Sequence, residues 1–136
     1  MPVRVAPVLS GIGTVIAFAE NFVAATAVPA DAGRRLKIVV EELARNIVLH
    51  GKPPADSFIE IDLVRGPDGI GIHVRDRGVP FDPRTDLQTI DDGEFGCPSV
   101  EGGVGWPLIL SWCRIDRLER IGDENHMTLS MPNAIG

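Results

Sequence analysis

Leu36-Lys-Ile-Val-Val-Glu-Glu-Leu-Ala-Arg-Asn-Ile-Val-Leu-His-Gly51 is the stretch on which the fold turns. Leu36, Val39, Val40, Leu43 and Ile47 recur at three- and four-residue steps, so they line one face of an amphipathic helix. Asp31 is placed to cap its start, while Gly51 and the Pro53-Pro54 pair end it. Glu42 and Asn46, four residues apart, share a face at the flank of that stripe, which suits the wall of a cleft. A glutamate there can accept a proton from a water or a hydroxyl, and an asparagine carbonyl oxygen is a hard ligand for magnesium. The same pair also reads as a solvated Glu and a helix-flank Asn, and the spacing alone leaves both open.

Toward the N-terminus, Val3 and Val5 read as a short strand. Leu9, Ile12, Val15, Ile16, Ala19, Phe22, Val23 and Ala27 then give a first helix its buried face, ending before Pro29. Arg4 ahead of this apolar stretch superficially resembles a secretory signal, but the helical periodicity argues for a packed helix. Ser10, Thr14, Glu20 and Asn21 interrupt the run, so no bilayer-spanning segment and no membrane partner is expected. The apolar face could serve a homodimer or packing on a sheet, and the sequence does not separate these.

Toward the C-terminus, Phe58 to Val64 and Ile70 to Arg75 alternate around Gly66-Pro-Asp-Gly69, the signature of an antiparallel hairpin with one buried face. Ile59, Ile61 and Leu63 form one inward row; Ile70, Ile72 and Val74 form the other. Asp76 continues the second row, so alternation points its carboxylate to the buried side, where it needs a partner. The exocyclic amine of adenine is one such partner, with Gly78 letting a base approach the backbone. An aspartate two residues before a glycine can equally turn the chain by bonding its own backbone.

From Phe81 to Gly103 the chain is rich in Asp, Gly and Pro, too long for an ordinary connection and more like a lid or binding loop. Pro107 suits the first turn of a third helix through Leu108, Ile109 and Trp112. Ile115 to Arg120 and the alternating Met127, Leu129 and Met131 read as two closing strands joined through Gly122-Asp-Glu-Asn125. The sum is an α+β fold, a two-layer sandwich in which a mixed, mostly antiparallel sheet is covered on one face by helices.

The 136 residues make one domain, 1–136, with no need of a staple. Cys97 and Cys113 sit in no ligand pattern, which excludes a zinc site and a disulfide framework and fits a reducing, cytoplasmic setting. A net charge of -6 with only Lys37 and Lys52 as lysines argues against nucleic acid as partner. Asp91, Asp92 and Glu94 read as a solvated acidic face and His73 as lying on the polar face of its strand; His50 caps or packs near the end of the second helix, close to the Asn46 face.

Gly102-Gly103-Val104-Gly105, just ahead of the third helix, would offer backbone N–H groups and a helix N-terminus to phosphate. No Walker loop or dinucleotide fingerprint competes with that role. Glu41 to Gly51, Asp76-Arg-Gly-Val-Pro-Phe-Asp-Pro83 and Gly102 to Gly105, in that order, resemble the N, G1 and G2 boxes of the GHKL, or Bergerat-fold, ATPases. The Pro-Phe-Asp-Pro extension is most similar to the bacterial anti-sigma-factor serine/threonine kinases. The resemblance implies an ATP/ADP and Mg2+ site with Glu42 as general base and Asn46 as metal ligand. It also implies Asp76 on adenine, Gly78 and Phe81 beside the base, His50 near the metal side, and Gly102, Gly103, Val104 and Gly105 on phosphate under a flexible ATP lid at about 82–102. Arg45, where the family often has a smaller hydroxyl residue, would clamp phosphate or block the pocket. The implied partners are an anti-sigma-factor antagonist of STAS type, which would accept phosphate on serine, and a sigma factor.

Overall fold

The computed structural model describes residues 2–83 and 105–134. Among the described residues three helices and five strands follow in the order β1 (Val3–Val5), α1 (Leu9–Thr26), α2 (Ala30–His50), β2 (Ile59–Arg65), β3 (Gly69–Asp76), α3 (Gly105–Trp112), β4 (Arg114–Ile121) and β5 (Glu124–Pro132). The strands form a single sheet in the order β1-β2-β3-β5-β4. All four pairings are antiparallel, where the sequence had left room for a mixed sheet. Hairpins β2–β3 and β4–β5 lie side by side through β3 and β5, which needs no parallel crossover among the described residues.

The alternation read from the sequence sets which face is covered. Ile59, Ile61, Leu63, Ile70, Ile72, Val74, Met127, Leu129 and Met131 are all buried, and they share one core with Leu36, Val39, Val40 and Leu43 of α2. Ile109 and Trp106 of α3 complete it. With the helices on one face, the other carries a polar network in which Glu60 bridges Arg4 and Arg75, and Arg75 reaches Glu124. His73 lies on that polar face as expected, but it is half-buried and bonded through Nδ1 to Thr128 Oγ1 at 3.0 Å.

Several local expectations are corrected. Asp31 lies in the first turn of α2, paired with Arg34, while Pro29 takes the cap position without a side-chain bond. Leu9 is 58 % exposed and Ala27 is the left-handed residue that stops α1, so the buried face reduces to Ile12, Val15 and Ala19 with Ile16, Phe22 and Val23 beside it. The 18 residues of α1 have a mean hydropathy of 1.3, long and apolar enough by length and composition to cross a membrane. The interruption argument therefore does not hold, because Ser10, Thr14 and Asn21 are uncharged and Glu20 is the helix's one charge. The β4–β5 connection is also tighter than read: only Gly122 and Asp123 turn the chain, Gly122 at φ +62°, so Glu124 and Asn125 belong to β5.

Candidate functional site

Two clusters lie at one end of the sheet, and α2 contributes to both. The first forms where β3 ends. Asp76, 7 % exposed, sits opposite Asn125 in the β3–β5 register. Its Oδ1 accepts from the Gly78 N–H at 2.7 Å and from Asn125 Nδ2 at 3.2 Å. One oxygen thus turns the chain by bonding its own backbone, while Oδ2 makes no hydrogen bond among the described residues. Burial pushes the Asp76 carboxyl above its ordinary value of 3.8, against the Gly78 N–H, the Asn125 amide and the charges of Arg120 and His126, which pull it down. A buried carboxylate with one oxygen unbonded among the described residues suits an amine donor.

The glycine at 78 is required by a close approach. A Cβ there would lie 2.6 Å from the Gly51 carbonyl oxygen and 2.9 Å from Asp76 Oδ1. Gly51 also accepts from the Val79 N–H at 2.7 Å, so the end of α2 is tied directly to the loop after Asp76. Gly51 was read only as a helix terminator; its second role comes from packing.

The second cluster lies where α3 begins against α2. A Cβ on Gly105 would stand 2.6 Å from Glu42 Oε2 and 3.1 Å from Asn46 Nδ2, which places both side chains against the start of α3. Asn46 is 9 % exposed, and its Nδ2 is buried without a hydrogen-bond partner among the described residues. An orphaned amide beside a carboxylate and a helix N-terminus fits a site for metal and phosphate, because it leaves the Asn46 amide free to turn its carbonyl to a cation. Arg45 is engaged by Glu41, its Nη2 2.8 Å from the Glu41 carboxylate in a half-buried i,i+4 ion pair. His50 is exposed on the last turn of α2, one turn beyond Asn46.

Phe81 packs its ring on Trp106 with centroids 5.7 Å apart and an interplanar angle of 41°. That contact joins the loop after Asp76 to the buried start of α3. Gly102, Gly103, Val104, the acidic residues Asp91, Asp92 and Glu94, Cys97 and nearly all of the lid at 82–102 lie outside the described residues. Among the described residues no group of three His, Cys, Asp or Glu side chains is arranged to hold a metal, so a metal here would depend on Asn46 and phosphate oxygens.

The model of the histidine kinase-like ATPase domain matches residues 6–131, nearly the whole chain. The chain belongs to this family. Its α+β architecture is that of the GHKL ATPases, and domains of the family bind ATP or ADP, typically with Mg2+. No curated protein matches the chain.

Two residues of the site escaped the sequence reading. Sequence pattern puts Asn125 in a turn, whereas it stands on β5 opposite Asp76, and nothing in the pattern marks Arg120 of β4 as more than a strand residue. Arg120 Nη1 donates to the Gly78 carbonyl at 2.6 Å and to Asn125 Oδ1 at 3.1 Å. A two-residue turn at Gly122-Asp123 would have put Asn125 on the strand and was the signal available.

Proposed function

We propose that this chain is a cytoplasmic ATP-dependent protein serine/threonine kinase of the anti-sigma-factor type, acting in a partner-switching pathway on a small STAS-type antagonist and binding a sigma factor. The observation that carries the reading is the meeting of Glu42, the Asn46 amide, unpartnered among the described residues, and Gly105 at the start of α3, on the helix whose end at Gly51 is tied to the Asp76 loop. Asn46 would hold Mg2+, which would offset the negative charge of the phosphates. Glu42 would orient the acceptor serine and take its proton, and Asp76 Oδ2 would accept from the adenine amine. The pairing of Arg45 with Glu41 supports this reading, because it gives the guanidinium a partner other than Glu42. Asp76 to Pro83 supports the branch assignment through its likeness to those kinases.

The test mixes the protein with magnesium ATP and the antagonist encoded with it. Phosphoserine on the antagonist is expected, lost in Glu42→Ala while ATP binding is kept. Measurable ATP binding with no phosphoserine removes the kinase assignment, and equal transfer by both forms removes Glu42 as base. The rival reading is a non-catalytic module whose nucleotide sets a partner surface. It draws on the bulky Trp106 wedged against Phe81 at the start of α3, and it predicts partner control unchanged in Glu42→Ala.

A further inference from the structure

The loop Arg77-Gly78-Val79 is held from two sides. On one side Gly51 of α2 accepts from Val79 N–H. On the other, the end of the β4–β5 hairpin grips three of its acceptors: Asn125 Nδ2 lies 2.9 Å from Val79 O, 3.4 Å from Gly78 O and 3.2 Å from Asp76 Oδ1, while Arg120 Nη1 lies 2.6 Å from Gly78 O. Asn125 reaches Asp76 through its amide nitrogen only while its carbonyl oxygen points elsewhere. That oxygen points at Arg120 Nη1, 3.1 Å away. A guanidinium has donors and no acceptor, so its contact with Asn125 permits one amide orientation and forbids the flipped one.

We propose that Arg120, acting through Asn125, is a positioning residue for the purine end of the nucleotide: it locks the amide of Asn125 and the carbonyl of Gly78 so that Asp76 keeps Oδ1 occupied and Oδ2 turned to the ligand. This rests on the reading of the cleft as a nucleotide site. Without Arg120 the Asn125 carbonyl oxygen loses its donor and the Gly78 carbonyl its shortest one, so the Asn125 amide is oriented by its acceptors alone and the loop is held less firmly on the hairpin side. The bonds of Arg120 and Asn125 go to Gly78, Val79, Asp76 and each other, and among the described residues no hydrogen bond joins them to Glu42, Asn46 or Gly105, so the substitution acts on the base end of the site.

The test compares adenosine and ATP, because the first reports the base end alone and the second adds the phosphates. In the full chain, Arg120→Ala is expected to weaken adenosine and magnesium ATP by the same factor, about tenfold, leaving the ratio of their affinities unchanged. Arg120→Lys, whose single Nζ cannot reproduce the fixed fork, should fall between the two. Side-chain amide NMR supplies a readout that global loosening would not mimic, since the Asn125 NH2 resonances should lose their exchange protection in Arg120→Ala with the backbone spectrum retained. If Arg120→Ala fails to fold, Arg120→Lys carries the comparison with the same constant ratio expected. Unchanged adenosine affinity in a folded variant overturns the proposal, as does a loss confined to ATP, which would move Arg120 to the phosphates. Wild-type protein that binds neither ligand overturns the nucleotide reading itself, and this assignment with it.

Discussion

Asp76→Asn separates stability from function at a single oxygen. The two donors to Asp76, Gly78 N–H and Asn125 Nδ2, both use Oδ1, and an asparagine placed alike keeps that oxygen. What changes is the other arm, where a carboxylate oxygen becomes an amide NH2. Adenine's exocyclic amine would then meet a donor instead of an acceptor. Losing a hydrogen bond to a charged group costs about 1.5–3 kcal/mol, or about 10- to 150-fold in Kd. The fold should respond in the opposite sense. Burial holds the folded-state carboxyl above 3.8, so between that value and the raised one the native state binds more protons than the unfolded chain. Wild-type stability therefore falls as pH rises through that window and levels off above it, while Asp76→Asn has no such slope. The variant should match the wild type at the acid end and melt at or above it at pH 7. Calorimetric titration with magnesium ATP and melting curves across the pH range check both halves. Undiminished ATP affinity would refute the base contact. A variant that melts well below the wild type at neutral pH would refute the claim that burial of the charge opposes folding.

Gly78→Ala should destabilise by about 1–3 kcal/mol, because its Cβ meets the rigid Gly51 carbonyl at 2.6 Å; chemical denaturation reads this, and an unchanged midpoint counts against that contact. Gly105→Ala meets a flexible carboxylate instead, so stability should move by no more than about 1 kcal/mol while ATP affinity falls relative to adenosine. Asn46→Ala should abolish the effect of magnesium on ATP affinity, and an equal magnesium effect in both proteins would dismiss Asn46 as ligand. The Cys113 thiol, pushed up to about 12 by burial, should resist alkylation at pH 8 until the protein is denatured, as peptide mapping would show.

The core was legible wherever one periodicity covered a whole element. Leu36, Val39, Val40 and Leu43 at helical steps, the row Ile59, Ile61 and Leu63, and the row Ile70, Ile72 and Val74 that runs on to Asp76 lie buried as read, because a side chain's direction in a helix or strand follows from its position alone. The α1 face was legible only in part: with small and apolar residues all round, its pattern could not show that Leu9 lies outside the packed stripe.

The sequence by itself determined the amphipathic α2, the hairpin before Asp76, the burial of that carboxylate and the shared face of Glu42 and Asn46. Each follows from local geometry over a few residues. Only the tertiary structure decided that Asn125 stands opposite Asp76, that Arg120 orients it, that Gly51 touches Gly78, and that Gly105 closes on Glu42 and Asn46. These contacts join residues far apart in the chain through strand register and helix packing. Register is set by the sum of side-chain burial across a sheet, which no single segment encodes.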